Sequence, residues 1–151
     1  MNYWLFKTEP DEYGIEDLRK APRKTGRWDG IRNYQARNLL RDEVKKGDLV
    51  FVYHSSCKTI GIAGVAEVVK AAYADPAQFD PHSKYFDPKS DTENPRWFTV
   101  DVKFRQQFER VIPLAELKVT PKLANMVLLK QGRLSVQPVS KAEWQCILKM
   151  I

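Results

Sequence analysis

The sequence predicts an α+β fold, a small mixed β-barrel flanked by short helices, formed by a single domain over residues 1–151. Several segments are apolar on both alternating faces, which is typical of strands covered on both sides. Short helical segments with recognisable capping residues separate these strands. The chain has 151 residues, of which 43% are hydrophobic and 29% charged, enough for one domain with a real core. Doubly covered strands mixed with short helices favour a closed or nearly closed barrel with helices outside.

The first elements follow from local pattern. We expect a strand from Tyr3 to Lys7, where both alternating faces are apolar, and a short helix from Gly14 to Lys20. A basic segment containing Pro and Gly, Ala21 to Gly26, predicts a loop. A turn at Gly47 then opens a strand from Leu49 to His54 that is again apolar on both faces.

The segment from Trp28 to Asn38 carries the most information about function. Gly30, in an Asp-Gly turn signal, can adopt a positive φ. Asn33 is a good helix N-cap, followed by an apolar face of Ala36, Leu40 and Val44. Trp28, Arg32 and Asn33 are therefore expected at the mouth of a helix. An aromatic surface, an amide for a base edge and a cation for phosphate suit a pocket for one nucleotide. The alternative is a core Trp beneath a capped helix.

The second half begins with two further strands. Thr59 to Val69 is expected to bend at Gly61 and Gly64. Trp97 to Arg105 alternates, with apolar residues inward and polar residues such as Thr99 outward.

Three short helices are expected near the C-terminus. They span Pro113 to Lys118, Pro121 to Met126 with Thr120 as cap, and a last helix that begins with a capping box at Ser140. The last helix is expected to place one apolar face against the core, formed by Trp144, Ile147, Leu148 and Ile151.

The segment from Ala74 to Pro95 breaks this alternation. Three Asp-Pro steps predict a long ordered loop or flap. Its acidic residues lack the spacing of a calcium loop. We expect it to pack beside a pocket through Tyr85 and Phe86, although a loop that only closes the barrel end would have the same sequence signs.

Composition narrows the class of partner. Lys and Arg number 25 against 19 Asp and Glu, which gives a net charge of +6 and suits an acidic partner such as nucleic acid. No apolar run reaches the roughly 20 residues of a membrane span, and the N-terminus lacks a secretion signal. We therefore expect a cytoplasmic protein, or a nuclear one in a eukaryote, without membrane contact.

Two cysteines, Cys57 and Cys146, support neither a disulfide framework nor a zinc site, so no metal or cofactor is predicted.

Catalysis is not expected. The chain has two histidines, His54 and His82, and no P-loop, GxGxxG or HExxH pattern. Ser55 follows His54 directly, but neighbours in sequence point apart, which is poor geometry for a Ser–His pair. A small hydrolase using His54 with Cys57 or a carboxylate remains an alternative.

Five segments together carry a family resemblance. They are Tyr3–Pro10, Trp28–Asn38, Val52–Ser55, Pro95–Trp97 and Gly132–Val139. In this order they strongly resemble the EVE domain family, over essentially the whole chain. The resemblance implies a PUA-like fold, related to the YTH readers of methylated adenine. It also implies a nucleic-acid-binding domain with a pocket for a modified base, which we expect to be a monomer. Modified cytosine in DNA is the favoured ligand, and a modified base in RNA is an alternative. A second alternative is an RNA-binding domain that does not read a modification.

The resemblance also implies roles for individual residues. Trp28 matches the family's pocket Trp and is expected to stack on a flipped base, while Asn33 is expected to contact a base edge. Lys7 would meet phosphate, and Thr8 a base edge or the backbone.

The remaining expected contacts have structural alternatives. Tyr53, His54 and Ser55 would close the other wall, unless Tyr53 belongs to the core. Trp97 is either a second aromatic surface or core packing. Arg133 and Ser135 would contact base or backbone, unless they form a surface ion pair and a turn.

Overall fold

The computed structural model describes residues 1–151, which form six strands and six helices. The strands are β1 (Tyr3–Thr8), β2 (Thr25–Arg27), β3 (Leu49–His54), β4 (Gly61–Ala74), β5 (Phe98–Pro113) and β6 (Val136–Val139). The helices are α1 (Pro10–Tyr13), α2 (Ile15–Lys20), α3 (Tyr34–Asp42), α4 (Leu114–Lys118), α5 (Val127–Lys130) and α6 (Lys141–Leu148). Short 3-10 turns lie at Pro22–Lys24, Pro76–Phe79 and Pro121–Leu123. No helix is long and apolar enough to cross a membrane.

One mixed sheet organises the molecule. Its strand order is β2-β5-β4-β3-β1-β6, with β1 and β3 parallel and every other pair antiparallel. The predicted mixed sheet with flanking helices is confirmed. The edge strands β2 and β6 do not pair with each other, so the sheet does not close into a complete barrel. The parallel pair brings the ends of β1 and β3 to the same edge of the sheet, where Thr8 pairs with His54.

The two glycines predicted to bend β4 lie where the neighbouring backbone passes very close. A Cβ on Gly61 would come within 2.0 Å of the Ile112 carbonyl oxygen, and one on Gly64 within 2.2 Å of the Gln106 oxygen. The β4–β5 register shifts between Ile62 and Gly64. The expected bend is confirmed, and only glycine fits it.

The sheet carries a core on each face. Phe6 of β1 and Val52 of β3 pack in one core with α2 and α3, whereas Leu5 and Phe51 pack in the other with α4 and α6. Each of these four side chains is at most 1% exposed. Burying one such side chain stabilises the fold by about 1.5–3 kcal/mol. The prediction that these strands are covered on both faces is confirmed.

Two predicted helix caps are confirmed by their hydrogen bonds. The side-chain oxygen of Asn33 accepts the N–H of Ala36 at 2.9 Å. Ser140 and Glu143 exchange the two bonds of a capping box at 3.1 and 2.9 Å. Each cap satisfies an N–H that the helix itself leaves free.

Other local predictions are wrong. The Thr120 hydroxyl donates backward to the Glu116 carbonyl at 2.7 Å and does not cap the following turn. Leu148 and Ile151 are 38% and 48% exposed, so the apolar face of α6 consists of Trp144 and Ile147. Thr99, expected to point outward, is fully buried, so both faces of β5 are covered at this position.

Strand lengths also differ from the prediction. The expected loop from Ala21 to Gly26 contains the start of the edge strand β2, which pairs with β5. Strands β4 and β5 continue to Ala74 and Pro113, because their long antiparallel pairing supports residues whose own pattern is polar.

Residues 75–97, here called the crossing loop, join β4 to β5 as an ordered segment. Gln78 is fully buried and its amide binds the carbonyl oxygens of Asp75 at 2.7 Å and Trp97 at 2.8 Å. These bonds hold the two ends of the loop together. The prediction of a long ordered loop is confirmed.

Candidate nucleic-acid interface

A cavity of about 900 Å³ opens where the parallel strands β1 and β3 end. Four stretches of chain and one serine of the loop after β3 surround it. The lining residues are Lys7, Thr8, Glu9, Glu12 and Tyr13, then 27–32, then Lys84 and Tyr85, then Gly132, Arg133 and Ser135, and finally Ser55. Its size lies within the range of small-ligand sites.

Seven of the predicted site residues line this cavity: Lys7, Thr8, Trp28, Arg32, Ser55, Arg133 and Ser135. Asn33, Tyr53, His54 and Trp97 do not. The tertiary structure thus brings together residues that are more than one hundred positions apart in the sequence, but it places four predicted contacts elsewhere.

Trp28 belongs both to the core and to the cavity wall. Its side chain is 5% exposed and packs against Phe6, with ring centroids 5.7 Å apart, and edge-on against Tyr13 at 6.4 Å. Its backbone N–H donates to the Val100 carbonyl at 2.8 Å, which extends the β2–β5 pairing. Trp28 is therefore a core residue that also lines the cavity, and stacking of its ring on a base stays a prediction.

The turn after Trp28 requires a glycine. Gly30 has a φ of 83°, a conformation that side chains disfavour. A Cβ at this position would also lie 2.6 Å from the ring of Tyr85. The Tyr85 ring therefore lies directly against the Gly30 backbone, and the crossing loop forms one wall of the cavity.

Arg32 fastens the crossing loop to the Trp28 segment. Its guanidinium donates to the Asp75 carboxylate at 3.0 Å and to the Tyr85 carbonyl at 2.8 Å. It lies 5.5 Å and 5.4 Å from the ring centres of Tyr85 and Trp97. Asp75 is fully buried and also accepts the Gly30 N–H at 3.0 Å. Arg32 was expected to bind a ligand, but most of its N–H donors are already hydrogen-bonded within the protein.

The crossing loop is also tied to α1. The Tyr85 hydroxyl donates to the Glu12 carboxylate at 3.0 Å, and the Lys84 ammonium forms an ion pair with the same group. Phe86, predicted to pack beside the pocket with Tyr85, is 39% exposed and lies outside the lining. The sequence analysis did not identify Glu12 and Lys84 as site residues, because nothing near either residue in the sequence indicates that the two are in contact.

Two of the lining cations have no carboxylate partner. Arg27, Arg32 and Lys84 pair with Asp29, Asp75 and Glu12 respectively. By contrast, Lys7 donates to the Gly132 carbonyl and Arg133 forms no ion pair. Burial lowers the pKa of Lys7. An anion placed beside Lys7 and Arg133 would therefore meet two cations that have no ion-pair partner.

His54 supports the fold at the rim of the cavity. Its Nε2 atom accepts the N–H of Ile15, the first residue of α2, at 3.1 Å. Burial lowers the His54 pKa, which favours the neutral ring that this bond requires. The hydroxyl of Ser55 and the thiol of Cys57 donate to backbone carbonyls, each at 3.4 Å. No nucleophile is therefore paired with His54.

The other predicted contacts outside the cavity have structural partners. Tyr53 is 2% exposed and lies in the core with Leu5. Trp97 stacks on Tyr34 at 4.9 Å. Asn33 caps α3 and borders a smaller cavity of about 280 Å³, which shares Arg133 with the main one. Contacts of these residues with a ligand stay predictions.

Comparisons with known proteins point in one direction. The EVE domain family model matches residues 2–150. Thymocyte nuclear protein 1 of Danio rerio is 45% identical over 164 residues, covering 97% of this chain and 71% of that protein. The human protein of the same name is 43% identical over 166 residues, covering 99% of this chain and 73% of its own length.

Two solved structures are similar over nearly their whole length. A hypothetical protein from Leishmania major has a TM-score of 0.95 and 49% identity, covering 99% of this chain and 94% of that one. The human THYN1 protein, solved in complex with DNA containing 5-methylcytosine, has a TM-score of 0.95 and 43% identity. That similarity covers 99% of this chain and 97% of the human one.

Proposed function

Since this chain belongs to the EVE domain family, we propose that it is a non-catalytic domain that binds DNA and reads a modified cytosine in an aromatic pocket. The human THYN1 protein, bound to DNA containing 5-methylcytosine in its solved structure, is 43% identical to this chain over nearly its whole length. The observation that carries the proposal here is the cavity between β1, β3 and the crossing loop. It combines the rigid ring of Trp28 with the uncompensated cations Lys7 and Arg133.

In the proposed complex, the cavity takes up one extruded base, while phosphates bind at its rim. Stacking on Trp28 contributes roughly 1–3 kcal/mol and depends little on which base is present. A buried methyl group adds about 0.8 kcal/mol, and extrusion costs a few kcal/mol. Phosphate contacts to Lys7 and Arg133 therefore supply much of the affinity, and the isolated domain binds weakly.

The absence of catalysis is part of this proposal. Its support is that His54 uses its Nε2 lone pair to cap α2, while the hydroxyl of Ser55 and the thiol of Cys57 face backbone carbonyls. A hydrolase would need a nucleophile, a base and an oxyanion site converging on one point. RNA as a ligand, a monomeric state and a nuclear or cytoplasmic location remain predictions.

Substitution of Trp28 tests the pocket. Trp28→Ala should remove the preference for an oligonucleotide with 5-methylcytosine over an unmodified one, and leave a salt-sensitive background affinity. Trp28→Phe should keep part of the preference, since it retains a ring and a filled core. Fluorescence anisotropy with DNA and RNA oligonucleotides provides the ratio of affinities, and circular dichroism checks that each variant is folded.

Trp144 offers a matched control. Trp144 is 4% exposed and Trp28 is 5% exposed, so both are buried. Trp144, however, stacks on Phe51 in the core on the opposite face of the sheet. Trp144→Phe should leave the affinity ratio unchanged. An unchanged ratio in the folded Trp28→Ala protein would instead refute the assignment of Trp28.

A further inference from the structure

A pocket that reads methylated cytosine faces a chemical problem with thymine. Both bases carry a methyl group on C5 and have nearly the same ring shape. They differ at N3, which is a lone pair in cytosine and an N–H in thymine, and at C4, where cytosine has an amino donor and thymine a carbonyl acceptor. Stacking on Trp28 and a methyl contact cannot separate them, because both interactions are the same for the two bases. Thymine is abundant in DNA, so discrimination requires a polar group in the cavity.

We infer that the carboxylate of Asp29 supplies this discrimination by accepting a hydrogen bond from the exocyclic amino group of cytosine. The inference rests on the proposed function of the cavity. Asp29 lines the cavity, follows Trp28 directly in the chain and is half-buried, with 35% of its side chain exposed. Its one hydrogen bond is a long contact of 3.4 Å from Arg27 Nε, which leaves acceptor capacity unused.

The other carboxylates of the cavity are less suited to this role. Glu12 already accepts both the Tyr85 hydroxyl and the Lys84 ammonium. Glu9 is exposed, so water competes for its oxygens. Asp29 is also the neighbour of Trp28 in the chain, so its carboxylate belongs to the same cavity-lining segment as the proposed stacking ring.

The selectivity follows from donor and acceptor chemistry. An ionised carboxylate only accepts hydrogen bonds, so it satisfies the amino group of cytosine but repels the carbonyl oxygen of thymine. A site that hydrogen-bonds a substrate group rejects an analogue without that group far more strongly than an apolar pocket rejects one missing a methyl. Asp29 therefore reads cytosine, whereas the apolar wall reads the methyl group.

The test compares single-stranded oligonucleotides that differ only in one 5-methylcytosine, cytosine or thymine. Single strands remove differences in the cost of extruding the base from a duplex. The wild type should prefer 5-methylcytosine to thymine, and Asp29→Asn should reduce this preference roughly tenfold, because the amide can turn its donor toward a carbonyl. The preference for 5-methylcytosine over cytosine should persist in Asp29→Asn.

Asp11→Asn is the matched control. Asp11 is exposed on α1 and does not line the cavity. Asp11→Asn therefore removes one negative charge, as Asp29→Asn does, but changes no group in the cavity. Its preference should equal that of the wild type. An unchanged preference in Asp29→Asn, or a loss in Glu9→Gln instead, would overturn the inference while leaving the proposed function intact. A wild type that does not favour 5-methylcytosine over cytosine would refute the proposed function itself.

Discussion

Two polar residues that the sequence predicts to be functional accept hydrogen bonds from backbone N–H groups at the starts of helices in this structure. Asn33 accepts an N–H at the start of α3, and His54 accepts one at the start of α2. A buried N–H without a partner costs about 1–3 kcal/mol, so each side chain has a structural reason to be where it is. Local polarity alone does not separate such a residue from one that binds a ligand.

The His54 contact predicts a pH dependence of stability. Burial lowers the pKa of His54 below its usual value of 6.5, so the unfolded chain binds a proton more readily than the folded one. Stability is therefore fully present above pH 6.5 and falls as the pH drops below it. Urea unfolding at pH 7.5 and 5.5 should show this fall in the wild type and less of it in His54→Gln, which keeps an acceptor but does not titrate.

His82 provides the control for this measurement, because it is exposed in the crossing loop. His82→Gln should retain the pH dependence of the wild type. Equal slopes for the wild type and His54→Gln between these pH values would contradict the prediction. The acidic groups with lowered pKa, such as Glu16 at about 2, titrate well below this window.

At the scale of elements, the crossing loop is held as a wall by a buried charge pair. Asp75 receives the Gly30 N–H, the Ala77 N–H and the Arg32 guanidinium, which joins the start of the loop to the turn beside Trp28. The Tyr85 and Lys84 contacts with Glu12 then hold the middle of the loop against α1. The cavity therefore keeps its shape through polar contacts between loops.

Arg32→Gln should destabilise the fold and loosen this wall. Asp75 is fully buried while the Arg32 side chain is 21% exposed, so the substitution leaves an unpaired buried carboxylate at a cost of about 3 kcal/mol. Thermal or urea unfolding measures the loss, and hydrogen exchange should be faster in residues 83–87 than in the wild type.

An exposed ion pair supplies the comparison. Arg41 pairs with Asp42 on the surface of α3, with side chains 38% and 53% exposed. Arg41→Gln should change stability by less than about 1 kcal/mol. Similar effects of the two substitutions, or unchanged exchange in the loop, would show that the Arg32 pair does not hold the wall.

At the scale of the whole molecule, the net charge of +6 is a poor guide to where nucleic acid binds. Nine of the 25 Lys and Arg side chains pair with a carboxylate, as Arg105 does with Glu67 and Arg110 with Glu116. At the cavity, Lys7 and Arg133 are the cations without a carboxylate partner. These two cations are therefore the ones that we expect an anion at the cavity to meet.

This distribution predicts how binding depends on salt. Lys7→Gln and Arg133→Gln should each lower affinity about equally for modified and unmodified oligonucleotides. Each should also reduce the slope of log affinity against log salt by about 0.7–0.9. Anisotropy titrations from low to moderate salt measure this slope. Lys149 is exposed and follows α6, so Lys149→Gln should leave this slope unchanged. A selective loss for the modified oligonucleotide would instead make the substituted residue a base contact.

The sequence by itself determined most of the elements and the local features that flank the site. Apolar residues at both odd and even positions predicted that β1 and β3 are covered on both faces, and Asn33 predicted the start of α3. Gly30 predicted the turn with positive φ beside Trp28. These features depend on residues within a few positions of one another, where side-chain period, turn chemistry and capping act.

Only the tertiary structure decided which of the predicted residues face the cavity and which charges are free there. Arg32 meets Asp75 across 43 positions, and Tyr85 meets Glu12 across 73. Such pairs form because the strand order of the sheet brings distant loops to one edge, and nothing in either local segment encodes its partner. Arg32, bound to the buried carboxylate of Asp75, supports the fold, whereas Lys7 and Arg133 have no carboxylate partner and are the cations proposed to bind an anion.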